Sequence, residues 1–373
     1  MPPPVLLTEL LEEVFLRLPP DEPEHLVRAS AVCKPWRGIL ANRGFRRRYR
    51  ERHGTSPVLG LFQNIRGDCR FVPTSAFQPA EADIRSWVAM DCRHGRVLFC
   101  SDGMEIGGGL EFLVWDPMTG DERRVAWPYR IDPIACFSMA LLCAAEGCDH
   151  RGCQVQGGPF RVVAVLSTGW ESRVTSACLY SSETDGWSEL TSFAHLGASG
   201  LNMPSILVDD GLYFNSSGNQ ILKYQLATLD FSAFEKPVMF NGGELIKTED
   251  GGLGFACLNN TNITLWSRET GPEGAVGWAQ HKVIDLVMLL PDAALSVPTL
   301  SSMPNIMRAY GFMDVTHVIL VGTDVGVYMV ELKSGRSRKV LKQPCEFSEV
   351  FPYASFCIPD IPCVHATMCN LLS

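Results

Sequence analysis

What most limits how this chain can fold is a phrase that returns along most of its length. A strand ending in an aromatic or aliphatic residue, a polar turn and a second strand recur five times. The copies are "FLVWDPMTGDERRVAWP" from Phe112, "ACLYSSETDGWSEL" from Ala177, "QILKYQLATLDFSAF" from Gln220, "ITLWSRETGPEGAVGWAQHKV" from Ile263 and "VYMVELKSGRSRKV" from Val327. The steps from Tyr180 to Tyr224 and on to Trp266 are 44 and 42 residues. The flanking steps, from Trp115 and to Glu331, are 65 residues each, which a surface insertion explains. Repeats of about 40–50 residues with four strands apiece are the mark of propeller blades, since a single blade cannot bury its own faces. Hairpins fit between the copies: "SILVDDGLYFN" turns at Asp-Gly, and "HVILVGTDVGVYMV" bends between Gly322 and Asp324. "GRVLFCSDG" and "PVLGLFQN" supply earlier strands. The expectation is about six blades, closed by pairing the strands after Pro57 with those near Val350–Ile358.

Before Pro57 the apolar period is helical rather than two. Leu6, Leu7, Leu10, Leu11, Val14, Phe15 and Leu18 recur at three- and four-residue steps, giving one stripe that Pro19-Pro20 ends. Asp21 with Glu24 reads as a capping box for a second helix carrying Leu26, Ala29, Val32 and Cys33. Pro35 opens a third around Trp36, Ile39 and Leu40, and Phe45 and Tyr49 mark a fourth turn or two. Four helices in so short a stretch cannot hide all that apolar surface among themselves, so part of it needs a partner.

This N-terminal region, "LLTELLEEVFLRLPP…LVRASAVCKPWRGILANRGFRRRY", resembles an F-box. The resemblance rests on the leucine-rich first helix ending in Leu-Arg-Leu-Pro, the Val-Cys-Lys-x-Trp-Arg core and the Phe-x-Arg-Arg-Tyr tail. The whole chain is similar to plant F-box proteins with a C-terminal F-box-associated, propeller-like domain, a likeness carried by repeat spacing. The expected organisation is α+β in two domains: a small all-α F-box over residues 1–53, then an all-β propeller-like domain over residues 54–373 that recognises a substrate. The resemblance implies docking on a Skp-type adaptor, and through it on the cullin and RING subunits of a ubiquitin ligase. Carried over by position, the docking residues are Leu6, Leu10, Val14, Leu18, Pro19, Leu26, Val32, Cys33 and Trp36. One departure is Leu7, which stands where the family usually has the Pro that fixes the helix entry.

Charge separates the two regions. Residues 1–53 hold ten Lys/Arg against seven Asp/Glu, and the remainder 22 against 34, leaving a body of −12 that repels phosphate backbones. Nucleic acid is therefore not an expected partner. The basic run "RRRYRER" reads as the solvated face of a short helix. No apolar run approaches the ~20 residues that span a bilayer, so no membrane partner is expected. Fourteen scattered cysteines in a chain this long, with no secretory leader in view, fit a reduced intracellular protein, in cytoplasm or nucleus.

Chemistry-bearing clusters are few. Cys143, Cys148, His150 and Cys153 offer four soft or borderline ligands, the types that hold tetrahedral Zn²⁺, but the spacing is crowded and a long insertion between strands explains it more simply. A catalytic Cys33 needs a nearby His or a positive helix end; Lys34 and Arg37 flank it, yet an interface corner is the better reading. "GGG" at Gly107–Gly109 reads as a hairpin turn rather than a phosphate loop. No cofactor is implied and no catalytic residue stands out, so a non-enzymatic receptor is expected. The alternative is a propeller-fold enzyme or carbohydrate-binding protein with a helical cap. The repeated aromatics, among them Trp115, Trp127, Trp170, Tyr180, Trp187, Tyr213, Tyr224, Trp266 and Trp278, should mostly pack between blades, with a few free for recognition. Which of them contact a target is unknown from sequence.

Overall fold

The computed structural model describes residues 8–65, 67–80, 83–101, 110–129, 136–146, 158–168, 174–194, 204–216, 218–238, 243–259, 261–272, 274–295, 308–313, 318–342 and 349–358. It opens with four helices: α1 (Thr8–Phe15), α2 (Pro23–Val32), α3 (Lys34–Ala41) and α4 (Arg43–His53). The expected Asp21–Glu24 capping box does not form. The residue before α2 is Glu22, its side chain caps nothing, and its carboxylate instead meets His25 at 3.1 Å. The reason is Pro23: it pushes the residue before it away from helical geometry, so the helix starts on the proline itself. Pro35 sits in the first turn of α3 as its position demands, and Cys33 is the extended joint between α2 and α3. Asn42 caps α4, accepting from the amides of Gly44 (2.8 Å) and Phe45 (3.2 Å), which extends "a turn or two" into an 11-residue helix.

The rest is an all-β, six-bladed propeller. The first blade holds β1 (Val58–Ile65) and β2 (Asp68–Pro73), and the second β3 (Trp87–Arg93), β4 (Arg96–Ser101), β5 (Glu111–Trp115) and β6 (Glu122–Ala126). The third holds β7 (Cys136–Cys143), β8 (Phe160–Thr168) and β9 (Val174–Ser181), with β10 (Gly186–Trp187) and β11 (Thr191–Ala194) both along β9. The fourth comprises β12 (Ile206–Val208), β13 (Gly211–Asn215), β14 (Gln220–Gln225) and β15 (Asp230–Glu235). The fifth comprises β16 (Gly243–Lys247), β17 (Leu253–Asn259), β18 (Asn262–Thr270) and β19 (Val276–Asp285). The sixth comprises β20 (Arg308–Met313), β21 (Val318–Thr323), β22 (Gly326–Glu331) and β23 (Ser337–Leu341). A final strand, β24 (Val350–Ala354), returns to the first blade and pairs antiparallel with β1, setting Phe62 opposite Phe351. That is the closure expected from the strands after Pro57 and near Val350. Each of the five repeat copies lands on the third and fourth strands of a blade, which explains their common rhythm.

The innermost strand of each blade faces the ring's centre: β24 touches β3, β3 touches β7, β12 touches β16, β16 touches β20 and β20 touches β24. Between blades, one face of each sheet packs on the next. Leu98, Phe112, Val114 and Trp127 of the second blade meet Leu141, Val162, Cys178 and Tyr180 of the third. The long step from Trp115 to Tyr180 includes the connection from β7 to β8. Cys143 ends β7 opposite Phe160, while Cys148, His150 and Cys153, like Gly107–Gly109 and Trp170, lie outside the described residues. The long step from Trp266 to Glu331 contains a 3-10 turn at Leu286–Met288 and the short α5 (Asp292–Leu295).

The two regions are joined at both ends of the ring. Phe15, Leu16, Leu26, Ala29, Leu40, Phe45 and Tyr49 form the helical core, and Phe356 and Ile358, just past β24, complete it. The Phe356 ring meets Tyr49 edge-on at 6.1 Å, and the Tyr49 hydroxyl donates to the Leu18 carbonyl at 2.8 Å. The boundary near residue 53 is thus crossed in space by the far end of the chain. Part of the apolar surface that sequence leaves for a partner is covered by the chain's own residues.

Candidate functional site

The apolar stripe of α1 divides in two. Neighbouring residues on a helix stand about 100° apart, so Leu11 and Phe15 turn inward while Leu10 and Val14, one step behind each, turn out. Leu10 and Val14 are each 53% exposed, and Val32 at the end of α2 is 62% exposed, although all three are apolar. Trp36 is half-buried and packs edge-on against Phe15, ring centres 5.1 Å apart, which leaves one edge of the indole at the surface. Cys33, Leu18 and Pro19 are half-buried. Leu26 is 2% exposed and belongs to the core, so it supports the face from beneath instead of lining it. Leu6 and Leu7 lie outside the described residues.

The basic run on α4 is tied to α1. Arg48 pairs with Glu12, Arg52 reaches Glu13 at 3.8 Å, and Arg17 also meets Glu13 at 3.1 Å. Such exposed pairs are worth ~0–1 kcal/mol each, so they set the angle of α1 more than they stabilise the module. The packing that fixes the face is the aromatic and aliphatic core under it.

A second constellation, which sequence reasoning missed, stitches neighbouring blades near the ring's centre. The Asn64 side chain donates to the Ala89 carbonyl and accepts from the Ala89 amide, both at 2.9 Å, joining the first blade to the second. Asp91 on β3 accepts from the Leu141 amide of β7 at 2.7 Å and pairs with Arg93 at 3.1 Å; Arg93 goes on to Ser205. Asn215 donates to the Gly243 carbonyl at 2.7 Å, joining the fourth blade to the fifth. Two further carboxyls stand in this region, Glu244 buried and Glu349 half-buried. Desolvation pushes Glu244 up to about 8, with Lys236 opposing and Glu349 adding to the rise. Burial likewise raises Glu349, although its hydrogen bond from Asn64 pulls the other way. The available signal was a charged residue inside an apolar strand, as in "WVAMDCR". Asn64, Asp91 and Asn215 each hold a blade to its neighbour, and among the described residues no three His, Cys, Asp or Glu side chains gather as a metal cage.

The aromatics mostly fill interblade space. Trp115, Tyr180 and Tyr224 are buried, and Trp187 and Trp278 each donate an indole N–H across to the preceding blade, to the Ala126 (3.0 Å) and Glu235 (2.9 Å) carbonyls. Trp278 and Tyr213 keep part of their rings at the surface. The described cysteines are all free, and no described helix is long and apolar enough to cross a membrane.

Comparison with known proteins agrees with the helical half of this description. Residues 6–48 match the family model of the F-box domain. No curated protein sequence matches the chain. Among solved structures, the extracellular domain of a one-component system from B. thetaiotaomicron aligns at 12% identity and TM-score 0.36, over 72% of this chain and 30% of that one. The chain thus spans under a third of that relative's length. A luciferin-regenerating enzyme aligns at 8% identity and TM-score 0.37, over 71% of this chain and 78% of that one. The β-propeller domain of Myceliophteria thermophila Swd1 aligns at 9% identity and TM-score 0.37, over 72% and 90%. The chain is an F-box domain at residues 6–48 followed by a six-bladed β-propeller.

Proposed function

We propose that this protein is the substrate-receptor subunit of a Skp–cullin–F-box-type ubiquitin ligase. The helical module docks a Skp-type adaptor, and through it cullin and RING subunits, while the propeller holds a target protein. No catalytic step is assigned to the chain itself; its contribution is proximity, turning an encounter between target and charged enzyme into a local event. The observation that carries this reading is the apolar face of Leu10, Val14 and Val32, which neither the helical core nor the propeller covers. Apolar anchors on a free surface lose water when a partner seats on them, and a few such residues supply most of the binding energy.

The test is capture of a purified Skp-type adaptor by the full-length chain, with and without Leu10→Asp and Val14→Asp together. Both positions are exposed, so the melting temperature should hold while affinity falls by at least ~tenfold. Undiminished capture by the double variant would sink the assignment.

A further inference from the structure

Across β13, β14 and β15 of the fourth blade and β18 and β19 of the fifth, two cations lie on aromatic rings in place of carboxylates. The Arg268 guanidinium sits 3.6 Å from the centre of the Phe234 ring and 5.5 Å from that of Trp278. Lys223 lies 5.8 Å above Tyr213, and Tyr213, Phe234 and Trp278 follow one another at 6.2 and 6.3 Å. Strand register builds this aromatic patch, the cleft of the proposal below. Tyr213 stands directly opposite Lys223, and Arg268 directly opposite Trp278, so each cation faces a ring across its own ladder. The Trp278 indole is then pinned to the fourth blade by its bond to the Glu235 carbonyl. Val276, two residues from Trp278 and so on the same face, is 55% exposed.

The arginine is the unusual member. A guanidinium carries five N–H donors in a planar fork. Among the described residues Arg268 meets no carboxylate and no hydrogen-bond acceptor, and Lys223 has no acidic partner. Arg93, Arg123 and Arg124 of the same propeller each hold an acid. Lys339 over Tyr328 in the sixth blade repeats the Lys223 arrangement at 5.8 Å, but among the described residues only in the fourth and fifth blades does such a lysine join an arginine held on two rings. Held over the Phe234 ring with no hydrogen-bond acceptor among the described residues, the guanidinium keeps its fork of donors unspent, and such a fork can take two oxygens at once.

We propose that this cleft recognises a protein segment offering one anionic side chain, carboxylate or phosphate, beside an apolar one. The Arg268 edge grips the two oxygens, Lys223 adds a second positive charge, and Trp278 with Val276 receives the apolar neighbour. The acidic body repels polyanions, so selectivity is for a single charge in an apolar setting. The segment belongs to the target, and in that respect the inference rests on the receptor reading.

The experiment measures fluorescence anisotropy of labelled short peptides on the full-length chain. The probes carry a central Glu, Gln or phosphoserine between leucines. The Glu or the phosphoserine peptide should bind, and which of them does identifies the anion. The Gln peptide should bind at least ~tenfold more weakly than the better anionic peptide, as should that anionic peptide on Arg268→Gln, since hydrogen bonds to charged groups are of that size. Arg268→Lys, which keeps the charge without the fork, should also weaken binding; it serves as the comparison if Arg268→Gln fails to melt cooperatively. Binding of the Gln peptide as tight as that of the better anionic peptide, or an unchanged affinity of that anionic peptide for the Arg268 variants, would overturn the proposal. Adaptor capture measured on the same samples keeps the two ideas apart. Loss of peptide binding with capture intact removes only the cleft. Failed capture with peptide binding intact removes the receptor reading.

Discussion

At the scale of single residues, burial divides side chains that the sequence presents as equals. Leu10 and Leu26 are both apolar residues of the helical module, yet one is half-exposed and the other sealed. Leu10→Asp should therefore change stability by no more than about 0.5 kcal/mol. Leu26→Asp should prevent the module from packing, because an isolated carboxylate in that core has no partner. Circular dichroism melts of the two variants check the contrast, and equal destabilisation would refute it. Glu244 offers a pH test. Its folded pKa stands near 8 against an ordinary 4.5, so between those values the folded chain keeps a proton that the unfolded chain has released. Its contribution is full below the lower value and is lost as pH rises toward the upper, at up to about 1.4 kcal/mol per pH unit. Glu244→Gln should gain melting temperature relative to the parent chain between pH 5 and pH 8; a constant gap across that range would exclude the effect. None of this was legible in the sequence. Leu10 and Leu26 differ only in which way a helix turns, and Glu244 looks like any acid beside Gly-Gly.

At the scale of elements, the sequence spoke more clearly where a local rule decides the outcome. Pro35 in the first turn of α3, and third-strand phrases that bury one face, are set by chemistry within a few residues. The start of α2 was misread because two local rules conflicted, and proline's steric rule overrode the capping signal. The pairing of β24 with β1 follows from repeat counting, but the seating of Phe356 and Ile358 on the helices does not, since nothing in "SFCIPD" points to a site three hundred residues away. Phe356→Ala should cost about 3–5 kcal/mol, the usual range for emptying a buried aromatic site. Hydrogen exchange should show the loss first in α1 to α4, ahead of the blades; uniform loss throughout would contradict the assignment of Phe356 to the helical core. Gly326 tests the sixth blade in the same way. Its φ is +142°, and a Cβ there would lie 2.0 Å from the Leu341 carbonyl oxygen, so Gly326→Ala should break the β22–β23 ladder and lower the melting temperature sharply.

At the scale of the whole molecule, closure makes the ring one cooperative body. β24 arrives from the end of the chain to pair with β1 near the beginning, so every blade is held between two neighbours. The helical module shares in this arrangement. Removing residues 1–53 would uncover Phe356 and Ile358, two large apolar side chains with nothing to replace their cover. The truncated protein should associate on light scattering at concentrations where the full chain stays monodisperse, and Phe356→Ser with Ile358→Ser should reverse this. Monodisperse truncated protein would show that those two residues find other shelter. Point changes at Leu10 and Val14 are accordingly the cleaner probe of the adaptor docking proposed above.

The same seam has a mechanical meaning. Were the helices hung on a loose tether, a captured protein would sweep a wide arc, and any of its lysines would come within range in turn. Bolted through Phe356 and Ile358 as well as through the main chain, the helices and the wheel behave as a single bracket. On the receptor function proposed above, this seam would set the bearing of a held target relative to the ligase arm, so that the spot on the wheel where the target rests would select which lysine is presented.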